Sequence, residues 1–511
     1  MPISTVNKSL KLNNVVMNED ISKWMEQDII VPDTKPDAVK IVNVTVTPYV
    51  NNVEVLQDKI KISGNVNYFV IYRVNDENFN TRGLFASYPY TEVLELKGVN
   101  SDMIATIKPI CKNVIYSLPN ERKISIKSEI VFKTKIKKIQ DVELINKFDC
   151  ETPIECKVCR NDFFNIIEDK KNIIASKEEF VLPKEAEDFY EILDVNTRII
   201  NTDYKESYNK VMVKGDIEIN IIYLTENRED CVKKTSYNLP FSAMVELSNI
   251  NDNSKFDISY IMQDFDLRLN QDITTTKTMC ADYQIEVNVL MYEEEEVEYV
   301  EDFYSQTREL NFNVNEIDGI RKINTLEKNV NIKENVSNIL PENTKVLDYR
   351  LDISHLNSSV NNNIVKIEGE AKVYLLLQDL NSFEIESKII DIIVDQNVDI
   401  GSSLENSKVL VDIEGENITV TQNGKDLDIR IDLEVEVKVL NLEKINVIEN
   451  ITDDDLDISG LDSINIYIVK PNDNLWKIAK KYKTSVEKIV KTNDILNPDE
   501  ISVGQKILVI R

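Results

Sequence analysis

The sequence predicts a multidomain, mostly β protein with three tandem antiparallel β repeats, each a sandwich or open barrel, followed by a small strand–helix–helix–strand module. Alternating apolar residues recur around a glycine about every 150 residues, at Gly64, Gly215 and Gly369, which is the pattern of a half-buried strand. A second long alternating run follows each glycine. Residues 464–511 change from strand to helical spacing, which predicts a separate module.

Composition limits the classes of function. The 511 residues are 42% hydrophobic, enough for several packed cores, and the net charge of −29 disfavours nucleic acid as a partner. No apolar run is long enough for a membrane helix, and the N-terminus lacks the apolar core of a signal peptide. We therefore expect a protein kept on the cytosolic side. Residues 464–511 hold nine Lys and Arg against five Asp and Glu, which favours either electrostatic docking or solubility.

The N-terminal segment, residues 1–27, is polar apart from Ile21, Trp24 and Met25. These three residues predict a one-turn amphipathic helix. We expect it to pack on the first domain, and a partner-binding peptide is the alternative.

The three β domains are predicted at residues 28–150, 165–305 and 320–450. All three glycines fall on the apolar side of their strand, which predicts a bulge or a close approach by another backbone. The second long runs cover 124–136, 283–291 and 427–439, and Asn423-Gly424 before the last one favours a hairpin turn. The glutamates at 293–296 are interpreted as a solvated strand end or loop. Residues 451–463 are acidic and predict a linker.

The C-terminal module has clear helix boundaries. Asp473 or Asn474 can cap a first helix, in which Leu475, Ile478, Ala479 and Tyr482 share one face. Residues 484–485 open a second helix that residue 493 closes, and a final strand covers residues 506–510. The module therefore has the order βααβ.

This pattern resembles a LysM module. The residues that carry the resemblance are Tyr467, Val469, Asp473, Leu475, Trp476, Ile478, Ala479, Tyr482, Ile489, Asn493, Leu496, Pro498, Ile501, Gly504, Gln505 and Ile507. The resemblance implies binding of N-acetylglucosamine-containing glycans, such as peptidoglycan, by two loops, residues 472–477 and 494–499. The implied contact residues are Asn472, Asp473, Asn474, Trp476, Lys477, Asp494, Ile495, Leu496, Asn497 and Pro498.

Two features of the first loop bear on the ligand. The usual Gly-Asp-Thr turn of LysM modules is Asn472-Asp473-Asn474 in this chain. Asn tolerates the left-handed conformation that Gly supplies, so the fold is kept, while loss of the Thr hydroxyl makes a protein ligand more plausible than sugar. Trp476 stands beside several lysines. It is either an exposed anchor for a partner or a half-buried residue that covers the edge of the module.

Tandem β domains followed by a LysM module resemble the SPOCS-domain proteins of spore-forming bacteria, the SipL-like spore coat morphogenetic proteins, whose plan SpoVID shares. The resemblance implies a non-enzymatic assembly factor in the mother-cell cytoplasm, at the forespore surface. Its LysM module would bind a SpoIVA-type spore coat ATPase. The alternatives are a peptidoglycan-binding protein and, more weakly, a wall hydrolase. Exposed strand edges would also permit self-association.

Catalytic and metal sites find little support in the sequence. His355 is the one histidine, so a Ser-His-Asp arrangement could be assembled only around it, and no phosphate-binding loop motif is present. Cys150, Cys156 and Cys159 form the single cysteine cluster. Cys156 and Cys159 have the spacing of one half of a zinc site, but there is no second pair and no nearby histidine. We interpret them as reduced thiols, and predict no cofactor, metal or catalytic site.

Overall fold

A computed structural model describes residues 3–75, 80–181, 189–225, 232–270, 278–401, 407–457, 463–498 and 500–511. Strands dominate these residues, and two short helices occur in the C-terminal module. No helix among the described residues is long and apolar enough to cross a bilayer. The predicted mostly β architecture is confirmed.

The first repeat is a sandwich of two antiparallel sheets. One sheet is centred on β4, with β2 and β3 on one side and β5 on the other. The second is β1-β7-β6, which forms half of a six-stranded sheet that continues into the next repeat through the pairing of β1 with β8. Buried residues such as Ile60, Tyr68, Ile126 and Phe132 fill the space between the sheets. The strands are β1 (Ser4–Ile30), β2 (Ala38–Pro48), β3 (Asn52–Leu56), β4 (Lys59–Val74), β5 (Thr81–Glu95), β6 (Ile104–Asn120) and β7 (Lys123–Asp149).

The second and third repeats have the same plan. A three-stranded sheet, β9-β10-β11 or β15-β16-β17, packs against a layer of longer strands, β8-β13-β12 or β14-β19-β18, and β8-β13-β12 is the second half of the six-stranded sheet. Each sandwich has its own apolar core. The strands are β8 (Ile154–Val181), β9 (Phe189–Ser207), β10 (Lys210–Thr225), β11 (Val232–Glu246), β12 (Lys255–Asn270), β13 (Thr278–Ser305), β14 (Arg308–Val336), β15 (Thr344–Asn361), β16 (Ile364–Asp379), β17 (Ile385–Asp399), β18 (Ser407–Asn423) and β19 (Asp426–Asp455).

The recurring glycines lie on the central strand of each smaller sheet, where a side chain would not fit. A Cβ at Gly64 would collide with the backbone carbonyl of Tyr49, and a Cβ at Gly215 would lie 2.7 Å from the Phe241 ring. Pairing of β10 with β9 also shifts register at Gly215. Gly369 has a φ of +141°. The predicted bulges and close approaches are confirmed.

The N-terminal segment is a strand, so the predicted helix at residues 21–25 is wrong. β1 pairs with β7 from Ser4 to Ile30. Ile21 and Met25 face the core of the first repeat, while Trp24 is on the opposite face with Lys127 above its ring. This is the two-residue period of a strand. The long neighbour β7 supplies backbone partners along the whole segment, whereas a one-turn helix gains few hydrogen bonds for its ordering cost.

The long strands also join the repeats to one another. Leu10, Val142, Phe163, Val297 and Ile445 come from all three repeats and share one buried cluster. The glutamates at 293–296 lie inside β13 near this cluster, so their interpretation as a strand end or loop is wrong. Two of them are paired with lysines of other strands, at 2.6 Å (Lys8–Glu295) and 2.8 Å (Lys255–Glu294).

The segment before the C-terminal module is only partly described. β19 continues through Asp455, opposite Arg308 at the start of β14. Residues 458–462, which belong to the predicted linker, lie outside the described residues.

Candidate functional site: the C-terminal module

The C-terminal module consists of β20 (Ile464–Ile468), α1 (Leu475–Tyr482), α2 (Val486–Thr492) and β21 (Lys506–Ile510), and the predicted βααβ order is confirmed. The two strands pair antiparallel, with Tyr467 opposite Ile507. The helices cover one face of this sheet because their apolar residues recur at helical spacing. The buried core contains Val469, Leu475, Ile478, Ala479, Ile489, Ile507 and Val509.

The first predicted binding loop is held by its own side chains. Asp473 Oδ2 accepts hydrogen bonds from the Tyr467 hydroxyl at 2.6 Å and from the Lys470 amide at 2.8 Å. These bonds, that from Tyr467 foremost, lower the pKa of Asp473. Asn474 caps α1 by accepting from the Lys477 amide at 2.8 Å, and Lys477 Nζ donates to the Asn472 carbonyl. Asn472 has a φ of +66°, the conformation that glycine would supply.

The second predicted loop forms a separate turn. It begins with Asp494 at a φ of +48°, and Ile495 packs against the core of the module. Leu496 is fully exposed, and Asn497 and Pro498 are exposed beside it. Asp499, the last residue of this loop as predicted, lies outside the described residues. Binding by either loop stays a prediction.

Asn493 has a larger structural role than the predicted end of α2. Its side-chain amide donates to the carbonyls of Ile489 at 2.8 Å and Leu508 at 2.7 Å. Its Oδ1 accepts from the Leu508 amide at 2.7 Å. One side chain therefore joins α2 to β21 and holds the second loop in place.

Trp476 is half-buried, and the body of the protein covers it. Its ring packs edge-on against Tyr304, with centroids 5.1 Å apart, and its Nε1 donates to Asp302 Oδ2 at 2.7 Å. Lys480 donates to the other oxygen of Asp302 at 2.5 Å. The Tyr304 hydroxyl donates to the Thr484 carbonyl at 2.6 Å. Sequence reasoning missed Asp302 and Tyr304 because a separation of more than 170 residues leaves no local signal.

A second feature that sequence reasoning missed is an apolar row on the outer face of β20. Ile464, Ile466 and Ile468 are 64%, 65% and 55% exposed. Tyr467, in between, packs towards the core. Apolar residues on both faces of this strand were the available signal, since a strand with one solvated face normally alternates with polar residues. Three adjacent exposed isoleucines form a patch of the kind found at protein interfaces.

The cysteines and the histidine considered as catalytic or metal-binding candidates do not form a common site among the described residues. Cys156 and Cys159 lie three residues apart on β8, so they face opposite sides of the strand. Burial raises the pKa of Cys156 to about 11, which keeps it a thiol. His355 contacts Ser354 and Asn113. Among the described residues there is no group of three or more His, Cys, Asp or Glu that could hold a metal ion.

Comparison with known proteins agrees with this architecture. The family model described as SipL, SPOCS domain matches residues 37–119 and 188–270, and the LysM domain model matches residues 467–509. The cortical fragment-lytic enzyme of Bacillus subtilis (strain 168) is 46% identical over 46 residues, which are 9% of this chain and 11% of that enzyme. No solved structure matches the chain.

The chain therefore contains two SPOCS domains of the SipL type and a C-terminal LysM domain, and the structure adds a third sandwich with the same strand order. These families are non-catalytic. The domain content is that of a sporulation-associated protein whose LysM domain is of a peptidoglycan-binding type.

Proposed function

We propose that this protein is a non-enzymatic adaptor in spore coat assembly, and that its LysM domain docks onto a SpoIVA-type spore coat ATPase. In this proposal it acts in the mother-cell cytoplasm at the forespore surface. The exposed row of Ile464, Ile466 and Ile468 is the observation that carries the proposal, because burying such a row on a protein removes apolar surface from water.

The state of the first loop also favours a protein ligand over sugar. A glycan is bound mainly by polar groups that are free to exchange hydrogen bonds. In this loop Asp473 and Asn474 already accept hydrogen bonds from the module itself, and Lys477 donates to the loop backbone. The β20 row, in contrast, has nothing over it among the residues that the structure describes. The positive balance of the module suits an acidic partner surface.

Peptidoglycan is the second candidate ligand, supported by the LysM match itself. A binding assay on the full chain separates the two, with purified SpoIVA-type coat ATPase and purified peptidoglycan tested in parallel. Saturable binding to the ATPase is expected. Binding to peptidoglycan alone would reject the adaptor proposal.

Two matched variants locate the surface. Ile466→Lys places a charge in the apolar row at a position 65% exposed, so the fold should tolerate it while ATPase binding weakens at least about tenfold. Val503→Lys makes the same change at a position 67% exposed outside the row and should bind like the wild type. Equal binding by both variants would remove the β20 row from the interface. Leu496→Asp tests the second loop, where Leu496 is fully exposed: it should leave ATPase binding unchanged, and should weaken peptidoglycan binding if peptidoglycan is the ligand.

A further inference from the structure

A polar cavity of about 390 Å³ lies where the three repeats meet. Its wall takes residues from β2 and β4 of the first repeat, β9, β10 and β11 of the second, and β15, β16 and β18 of the third. Its volume falls within the range of small-molecule sites. Six charged residues line it, three acidic and three basic: Asp194, Glu218, Asp348, Arg198, Lys234 and Arg350.

Two of the three opposite-charge pairs are already formed within the wall. Lys234 and Asp348 lie 2.7 Å apart, and Arg198 and Glu218 lie 3.4 Å apart. These four groups therefore need no ligand to balance their charge. The remaining cation and anion, Arg350 and Asp194, differ from them.

Arg350 forms no ion pair within 4.0 Å among the residues that the structure describes. Its guanidinium instead lies over the Tyr374 ring, 5.3 Å from the centroid. This cation–π contact does not use the N–H donors of the guanidinium, which can receive a carboxylate in two parallel hydrogen bonds.

Asp194 is 8% exposed, and its carboxylate is half satisfied. Oδ2 accepts from the Thr45 hydroxyl at 2.7 Å, whereas Oδ1 is buried with no hydrogen-bond partner. A buried unpaired acceptor costs about 1–3 kcal/mol, so a donor that reached it would be stabilised. Asp194 lines the cavity, and because rotation about its Cβ–Cγ bond is soft, a small turn would bring Oδ1 to the cavity while the bond from Thr45 lengthens.

We propose that this cavity binds a free amino acid, with the ligand carboxylate on Arg350 and the ligand ammonium on Asp194. One unpaired guanidinium and one half-free carboxylate in the same balanced cavity match a small zwitterion, which adds no net charge. Asn196 and Asn220 in the same wall offer amide donors and acceptors to a polar side chain. This site is independent of the LysM domain and of its partner.

The test uses the full chain and a mixture of the twenty standard amino acids at pH 7, observed by saturation-transfer NMR. Calorimetry then measures the Kd of the amino acid that binds. Its N-acetyl and carboxamide derivatives, which each lack one charge, are expected not to bind. Absence of a signal from every amino acid would overturn the proposal.

Variants in the wall complete the experiment. Arg350→Gln and Asp194→Asn should each weaken binding at least about tenfold, since each removes a charge-assisted hydrogen bond. Arg350→Lys keeps the charge and should lose less. Arg430→Gln, on β19 outside the cavity, is the matched control and should bind normally. Circular dichroism checks that each variant is folded. Wild-type affinity in folded Arg350→Gln and Asp194→Asn would rule out the assigned contacts.

Discussion

Asp194 shows how strongly the junction of the repeats acts on a single residue. Burial raises the pKa of its carboxyl to about 6, while the positive charge of Arg350 and the hydrogen bond from Thr45 act in the opposite direction. A surface aspartate in the unfolded chain has a pKa near 3.9. Between about pH 4 and pH 6 the folded protein therefore binds more protons than the unfolded chain, and its stability falls as the pH rises.

Asp194→Asn should remove this pH dependence. Asn has nearly the shape of the protonated carboxyl and no charge to desolvate. The variant should match the wild type near pH 4 and be more stable near pH 7, by up to roughly 3 kcal/mol for a shift of about two pKa units. Denaturant unfolding of both proteins from pH 4 to pH 7 measures the difference between their free energies of unfolding. The titration of the other carboxylates contributes equally to both proteins and cancels in this difference.

Asp348→Asn is the matched control for that experiment. Asp348 lines the same cavity, but its carboxylate pairs with Lys234 at 2.7 Å, and the substitution leaves Lys234 without that partner. This variant should therefore be less stable than the wild type at pH 7, the opposite sign. A stability difference between wild type and Asp194→Asn that stays constant with pH would show that Asp194 titrates normally.

At the scale of elements, alternation along the chain predicts the stretches of strand that bury a single face. It is lost where a strand buries both faces, as at Ile71 and Tyr72 on β4. Ile60 and Ile62 on β4 and Leu427 and Ile429 on β19 are buried with polar residues between them. The strand β1 (Ser4–Ile30) could not be predicted, since its pairing with β7 joins residues about 100 or more positions apart in the chain.

The candidate site divides in the same way. The caps at Asn474 and Ser485 follow from local sequence and are present. Contacts of Trp476 with Asp302, and of Asn493 with Leu508, depend on which elements pack together. Propensity and periodicity carry no information on such contacts.

Asn493→Ala should loosen β21 from α2. The change removes three hydrogen bonds and leaves the Leu508 amide and carbonyl without that partner, at a cost of roughly 2–4 kcal/mol to the module. Hydrogen exchange followed by mass spectrometry should show faster exchange in β21, while the exchange rates in the three β repeats stay unchanged. Lys491→Ala, an exposed residue of the same helix, is the control and should cost less than about 0.5 kcal/mol. Unchanged exchange in β21 would contradict the role assigned to Asn493.

At the scale of the whole molecule, the LysM domain is docked on the ends of β13 and β14. Asp302 accepts from both Trp476 and Lys480, and Lys483 pairs with Glu309 at 2.8 Å. In this docked arrangement the three isoleucines on the outer face of β20 are each 55–65% exposed, whereas Trp476 is covered by the body of the protein. A partner that used Trp476 would first have to break its contacts with the body, and that cost would reduce its apparent affinity.

Asp302→Ala should release the domain from the body, because two hydrogen bonds to α1 are lost at a cost of about 2–4 kcal/mol to docking. The chain has two tryptophans, so a Trp24→Phe background makes Trp476 the sole reporter. On release, Trp476 emission should move to longer wavelength and become more accessible to iodide. Glu301→Ala, which removes a neighbouring carboxylate paired with Lys157, should leave the emission unchanged.

If Trp476 belongs to the partner surface, the Asp302→Ala variant should also bind the coat ATPase more tightly. Release without tighter binding would limit the interface to the β20 row, and unchanged emission would mean that Asp302 does not hold the domain.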